Sequence, residues 1–377
     1  MTETVYTRGA AGEMGDIVDF INYVFSQAHR PHDFKTLLPK VYADDAPAGQ
    51  EDFHFLAKQN GRIVACVADR PLCLSFGENA LKCGYVGSVS VHPYHRSEGH
   101  MKRLMSDMIR DAREKDYDLL LLGGQRQRYG YFGFEKGGLL MRFHVTGTNV
   151  RHALSDVDIS DVCLDPLTQE DVPFAYALWQ KQPVRAGRKP ETFLTDLMSW
   201  HNEPLLISFG SQPAGYLAGG ELVLQNEDQL PKAVKALLSR PGVKEMEFRA
   251  ALYEKQRLAF LKDLCEYSSL GPMEMFNVLN WKTVLETFLC FKHLFVGPVA
   301  DGCAKIDIKE DGAFEIEVKN GVPRVTPLAS VPESAIQTDH MEAQRTFFGL
   351  ADMFVPTPGI PDSWKGLPLV MSEQDGF

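Results

Sequence analysis

The stretch Val89-Ser90-Val91-His92-Pro93-Tyr94-His95-Arg96-Ser97-Glu98-Gly99-His100-Met101 decides how this chain is read. Its first part is the end of a strand. Residues 85–91 are rich in strand formers, with Val89 and Val91 on alternate positions, and Pro93 removes a backbone donor so that the ladder stops there. The loop from Arg96 then opens a helix. Met101, Leu104, Met105, Met108, Ile109 and Ala112 recur at three- and four-residue spacing, while Lys102, Arg103, Asp107, Arg110 and Glu114 fall between them, so one stripe faces a core. The unpaired N–H groups of a helix's first turn point outward together, and the helix dipole adds positive potential. A strand-to-helix passage of this kind can hold a pyrophosphate largely through backbone, and Gly99 lets that backbone come close. Read alone, the passage also fits an ordinary strand, turn and helix with no ligand.

The residues that follow narrow the choice. A buried strand, Tyr117-Asp118-Leu119-Leu120-Leu121-Leu122, ends in Gly123-Gly124 and leads to Gln125-Arg126-Gln127-Arg128-Tyr129-Gly130-Tyr131-Phe132-Gly133-Phe134. Taken together, these segments resemble the GNAT acetyltransferases. In that superfamily a Val-x-Val strand edge, a Gln/Arg-x-x-Gly-x-Gly/Ala loop and a later Tyr-x-x-x-Gly-Phe segment bind acetyl-CoA and carry acetyl transfer. The resemblance implies acetyl-CoA as co-substrate, with Val89, Ser90, Val91, Arg96, Ser97, Glu98, Gly99, His100 and Met101 as its binding residues. Two of these depart from the pattern or strain it. Met101 stands where a small residue is expected, which requires its side chain to turn into the core. Glu98 adds negative charge beside a pyrophosphate, and His95, Arg96 and Lys102 partly offset it. Tyr129 matches the family's general-acid tyrosine, which protonates coenzyme A sulfur. A phenol of pKa near ~10 stays protonated at pH 7 and can serve a thiolate of ~8.5. The alternative for Tyr129 is a simple core aromatic.

Composition bounds the rest. At 377 residues, with 44% hydrophobic and 10% aromatic content, the chain can bury two or three cores. No apolar run is long enough to span a bilayer, and the N-terminus lacks the charged-then-apolar pattern of a signal peptide, so a cytoplasmic protein without membrane partners is expected. The net charge of −11 argues against a nucleic-acid partner, which needs concentrated Lys and Arg, and weakly favours cationic substrates. The 7 cysteines are an odd number with no C-x-x-C, and no histidine is spaced for a metal site. Reduced, mostly buried thiols and no metal are expected. Cys83 lies near the proposed active strand but has no matched His and Asn or Asp context that would make it a nucleophile.

Along the chain the expected fold class is α/β (α+β), in three parts. Residues 1–150 read as an acetyl-CoA-binding GNAT domain. They open with a helix over 14–25 whose stripe is Ile17, Phe20, Ile21, Val24 and Phe25, and strands 53–57 and 63–69 pair around Asn60-Gly61, a strong hairpin signal. In GNAT enzymes the segment after the first helix borders the acceptor pocket, so the resemblance makes Phe25, His29 and Asp33 candidate substrate contacts. A solvated loop is their alternative. Residues 151–271 repeat a similar order, with a hairpin around Gly210-Ser211-Gln212-Pro213 and helices near 230–238 and 253–265, but no Arg-x-x-Gly loop. They read as a degenerate second GNAT unit. Residues 272–377 open with Met273-Glu274-Met275-Phe276-Asn277-Val278-Leu279. A helix over 281–291, period-two strands at 304–308 and 313–318, a turn at Asn320-Gly321 and a helix over 341–348 follow.

Two tandem GNAT-type mixed sheets plus such a tail look like the enhanced-intracellular-survival (Eis) acetyltransferases, whose last domain resembles sterol carrier proteins. This likeness spans nearly the whole chain, with the specific motifs confined to 85–135. It implies N-acetylation of an aminoglycoside, polyamine or lysine-like amine, small or peptidic, and a homo-oligomer, hexamers being common in the group. It also implies that the C-terminal carboxylate, here on Phe377, takes the amine's proton. The preceding Ser372-Glu373-Gln374-Asp375-Gly376 is acidic and reads as flexible, so a functionless tail stands as the alternative. Two further readings remain at this point: an acetyl-CoA sensor without turnover, and a lipid-binding scaffold of the sterol-carrier type.

Overall fold

The computed structural model describes residues 3–27 and 30–377. Its first sheet begins with β1 (Thr4–Arg8), which leads into α1 (Met14–Ser26), where Ile17, Phe20, Ile21 and Val24 are buried along the expected stripe. The next strands, β2 (His54–Gln59) and β3 (Arg62–Phe76), meet at Asn60-Gly61, whose φ values of 49° and 75° are the left-handed pair that suits a two-residue hairpin. After a tight turn comes β4 (Asn79–Val91). Both β3 and β4 run well past the expected 63–69 and 85–91. Their extension reaches the second region, where Leu74, Ser75 and Phe76 pair with the short strand Val184–Ala186.

The chain then forms α2 (His100–Glu114), β5 (Leu119–Leu122), α3 (Arg126–Tyr129) and β6 (Glu135–Gly137). Crossing from β4 to β5, α2 makes them the parallel pair of this sheet. Strand residues alternate between the two faces. Ala65 and Val67 share a core with Leu104, Met105 and Met108 of α2, while Cys66 and Ala68 share the opposite core with α1.

The sheets do not follow the order of the chain. The strand Glu274–Val278, expected to open the third part, lies within the first sheet between β5 and β6, with Met275 opposite Leu122 and Phe276 opposite Glu135. A strand bonded on both edges and covered on both faces buries successive side chains, which is why Met275, Phe276 and Val278 show no alternation, and the buried Asn277 between them donates to the Phe132 carbonyl at 3.0 Å. In exchange, Leu140–Thr146 leaves the first sheet and becomes the middle strand of a three-stranded sheet with Glu245–Ala251 and Tyr267–Gly271.

The second region adds a four-stranded antiparallel sheet, Val162–Pro166, Leu205–Phe209, Gln212–Ala218 and Glu221–Leu224, with helices Leu230–Leu238 and Lys255–Leu264. Where a cradle like that of α2 would stand, the chain has the acidic turn Asn226-Glu227-Asp228. Helix Trp281–Phe291 comes next, followed by a sheet of Gly302–Ile308, Gly312–Lys319, Val322–Pro327 and Ile336–Thr338, with Asn320-Gly321 at the expected turn, and then helix His340–Phe348.

Two expectations are corrected. The terminal residues Gln374, Asp375 and Phe377 are buried rather than frayed, because buried cations meet their carbonyls and carboxylate. The cysteines are all free, but only Cys66 and Cys83 are buried; Cys73, Cys163 and Cys303 sit on outward-facing strand positions. Among the described residues no helix is long and apolar enough to cross a membrane.

Candidate active site

The site grows from a parting of two strands. While β4 pairs with β3 as far as Val91, it pairs with β5 only from Cys83 to Val86, since β5 ends at Leu122. Gly87 to Val91 therefore present one backbone edge to a cleft. A bulge sharpens the split: the β3–β4 register skips between Cys66 and Ala68, and Ser88 adopts φ 50°. Three buried side chains hold that bend. The imidazole of His54, which burial pushes down to about 4, is neutral; its Nδ1–H donates to the Gln50 carbonyl at 3.0 Å, so its Nε2 accepts from the Tyr42 hydroxyl at 3.0 Å. The Ser88 hydroxyl completes the chain at 2.7 Å from the Tyr42 oxygen.

At one end of the cleft stands the Arg96–Gly99 turn. Gly99 takes φ 83° with open space where a Cβ would be, and the first backbone bond of α2 runs from Arg103 N–H to Gly99. The N–H groups of His100, Met101 and Lys102 lie ahead of it, without helical acceptors. Val89, Ser90, Val91, Arg96, Ser97, Gly99, His100 and Met101 all line this end. The Met101 side chain packs onto the core beneath α2, as its size requires. Glu98 is turned away from the cradle: its carboxylate accepts from His100 Nε2 at 3.0 Å and Gln59 at 3.1 Å, with His95 Nδ1 at 3.2 Å. The charge of Glu98 is thereby met by Gln59, His95 and His100. This arrangement gathers ligand atoms of His95, Glu98 and His100 within 4.8 Å of one another, a grouping that sequence spacing did not reveal.

The other end is walled by Phe25, Phe34, Tyr85, Trp200 and Phe377. Phe25, Val89, Gln125 and Arg128 border both ends, so the cleft is continuous. Of the other two expected substrate contacts, Asp33 is occupied in capping the short helix Phe34–Leu37, accepting from Lys35 N–H at 3.1 Å, and His29 lies outside the described residues. Tyr129 reaches the cleft from α3 with its ring against Gly124. Burial raises its phenol above the usual range, partly opposed by Arg128, so the hydroxyl stays protonated at neutral pH.

Glu135 moors α3. Its carboxylate takes a two-pronged bond from Arg126 at 2.5 and 2.7 Å and a third from Arg345 at 2.9 Å. Burial alone would raise this carboxyl, but the two guanidinium groups and the Lys136 N–H hold it at about 2. An unfolded Glu titrates near ~4.3, so this stabilisation is complete above that pH and is lost as pH falls through about 2. Melting curves between those limits should fall less steeply for Glu135→Gln than for the parent protein.

Phe377 closes the end of the cleft walled by Phe25, Phe34 and Trp200. Its ring fills the space that Gly87 leaves, where a Cβ would stand 2.2 Å from Phe377 Cδ1, and it meets Tyr42 edge-on at 6.0 Å. Lys40 Nζ donates to the carbonyls of Gln374 and Gly376, and Arg70 donates to that of Asp375. Arg188, stacked 3.8 Å over Trp179, bonds Asp375 at 2.7 Å and takes Glu221 in a two-pronged pair at 2.7 and 3.0 Å. None of these partners was legible as a site residue.

Residues 6–137 match the family described as "Acetyltransferase (GNAT) domain". This stretch is a GNAT acetyltransferase domain. The chain is accordingly an N-acetyltransferase, and the cleft lies within that domain and the segments that close it. No curated protein matches the sequence. Solved structures share the fold of this acetyltransferase over most of its length. A conserved protein of unknown function and probable N-acyltransferase from Enterococcus faecalis V583 has TM-score 0.67 at 15% identity, covering 92% of this chain and 90% of that one. A GCN5-related N-acetyltransferase from Kribbella flavida has TM-score 0.66 at 15% identity, covering 100% of both. Eis1 from Mycobacterium abscessus has TM-score 0.62 at 14% identity, covering 92% and 90%.

Proposed function

We propose that this acetyltransferase moves the acetyl group of acetyl-CoA to an amine, aminoglycoside, polyamine or lysine-like, by direct attack on the thioester. The observation that carries this reading is the open edge of β4, with a phosphate cradle at one end and a protonated tyrosine at the other. The free N–H groups at the start of α2 and the Arg96 side chain hold the pyrophosphate, and the space at Gly99 admits it. The backbone of Gly87 to Val91 orients the pantetheine arm and polarises the thioester carbonyl. Tyr129 delivers its proton to the departing sulfur. The α-carboxylate of Phe377 receives the proton of the incoming ammonium, its place set by the Phe377 ring and by Lys40.

We read the chain as 1–150, 151–271 and 272–377, a catalytic GNAT unit, a second one without a cofactor site and a sterol-carrier-like end, with strands 140–146 and 274–278 traded between them. The likeness in fold to Eis1 and the acidic turn at Asn226-Glu227-Asp228 support this division. A homo-oligomer and a cytoplasmic location belong to the same reading.

Free thiol released from acetyl-CoA, measured across aminoglycosides, polyamines and lysine peptides, tests the function. Amine-dependent release is expected. Binding of acetyl-CoA without release for any amine would leave the sensor reading in its place. Extending the chain beyond Phe377 converts the α-carboxylate into an amide, so turnover should fall about tenfold or more while acetyl-CoA affinity holds; unchanged turnover would remove that carboxylate from the mechanism.

A further inference from the structure

Glu274 is the first residue of the strand that enters the sheet beside β5, at the point where β5 gives way to Gly123-Gly124. Its Oε1 accepts a hydrogen bond from the Tyr85 hydroxyl at 3.0 Å. A Cβ on Gly123 would stand 3.5 Å from Glu274 Oε2, and one on Gly124 would stand 2.4 Å from the Tyr129 ring. The consecutive glycines thus carry the sulfur's acid on one and a carboxylate on the other. A Cβ on Gly376, the residue before the terminal carboxylate, would lie 3.3 Å from the Tyr85 oxygen, so the chain's last peptide, Tyr85 and Glu274 follow one another along a single wall.

We propose that Glu274, with Tyr85 as its conduit, is the group that stores the proton the acceptor amine loses. The inference rests on the acetyl-transfer reading and adds to it a residue from outside the matched family segment. An α-carboxylate titrates near ~3.5 and is a poor resting place for a proton at neutral pH, whereas a base is most effective when its pKa lies near the working pH. Burial raises the Glu274 carboxyl to about 7, with Glu373 adding to the rise and the Tyr85 hydroxyl and Arg142 opposing it. His32, Arg128, Lys136 and Phe377, which carries the terminal carboxylate, also border the pockets that Glu274 lines.

The steps balance. The ammonium N–H bond breaks and its proton passes to the Phe377 carboxylate. The Tyr85 oxygen takes that proton as its own moves to Glu274, so Tyr85 stays neutral and Glu274 ends as the acid. The freed electron pair forms the N–C bond, the C–S bond breaks, and the thiolate takes the Tyr129 proton. The second proton lost by nitrogen restores Tyr129, and Glu274 returns its own to water before the next turnover.

The test is the pH profile of kcat/KM for the full chain, Glu274→Gln and Tyr85→Phe, with acetyl-CoA affinity measured alongside. The parent protein should show an acidic limb centred near 7. Glu274→Gln should lose that limb and fall about 10²-fold at unchanged acetyl-CoA affinity. Tyr85→Phe removes both the conduit and a bond that lowers the Glu274 pKa, so its kcat/KM should fall toward that of Glu274→Gln while the Glu274 carboxyl itself titrates at higher pH. Carboxyl 13C spectra of Glu-labelled protein, assigned by difference with Glu274→Gln, read the same titration without turnover. A Glu274 that titrates near the ordinary ~4.3, or a Glu274→Gln variant within about twofold of the parent with the same limb, overturns the role alone. A parent protein that releases no thiol with any amine overturns acetyl transfer, and this role with it.

Discussion

Tyr129→Phe should lower the rate of thiol release by about 10²- to 10⁴-fold, the range over which a positioned proton donor contributes to catalysis. The change removes one oxygen and leaves the ring that packs against Gly124. Neither the cradle at α2 nor the open edge of β4 depends on that oxygen, so acetyl-CoA affinity and melting temperature should hold. The expected signature is a fall in kcat with KM for acetyl-CoA nearly constant, the pattern of an interaction made only in the transition state. The loss should also shrink with an acyl donor whose thiol is more acidic, because a better leaving group needs less help from a proton. A Phe variant with kcat close to that of the parent would leave Tyr129 as a core aromatic.

Arg188→Ala should cost about 3–5 kcal/mol of stability, since removing one partner from a buried charge cluster strands the others. Arg188 is fully enclosed, and its loss leaves Glu221 and Asp375 as neighbouring buried carboxylates while exposing the face of Trp179 that it covers. At about 1.3 °C per kcal/mol for a chain of 377 residues, the melting temperature should fall by roughly 4–6 °C. Replacing Arg188, Glu221 and Asp375 together by Met, Gln and Asn should recover a large part of that loss, which simple removal of contacts would not predict. The single variant should also free the tail: carboxypeptidase should release Phe377 faster from it than from the parent. A variant that melts within about 1 °C of the parent would show that the cluster carries no such strain.

What the sequence made legible was local. The passage from β4 into α2 announces itself through Val89, Val91, Pro93 and Gly99, because a strand end and a helix start are decided by neighbours in the chain. The Asn-Gly turns at 60–61 and 320–321 and the helix Trp281–Phe291 were readable for the same reason. Partnerships across long separations were not. Nothing near Met273 tells that Glu274–Val278 will lie against Leu119–Leu122, and nothing in an acidic tail tells that Lys40, Arg70 and Arg188 are waiting for it. Glu274 did leave one sign: the single charge in a mostly apolar central strand must be placed somewhere, and in a buried strand that place is commonly a site. Asp33 carried the opposite lesson, since Asp just before a helical run is first of all a cap.

The strand Glu274–Val278 also bears on how the molecule is made. The ribosome delivers β5 long before its neighbour on that side exists, so Leu119–Leu122 emerges as an apolar edge with unpaired backbone and must wait through more than a hundred further residues for closure. Two intermediate sheets and their helices are synthesised in that interval. The cleft therefore cannot be complete in a nascent chain that stops at the end of the matched family segment. The first sheet becomes whole only when the third region arrives, because its strand between β5 and β6 is the one that region opens with.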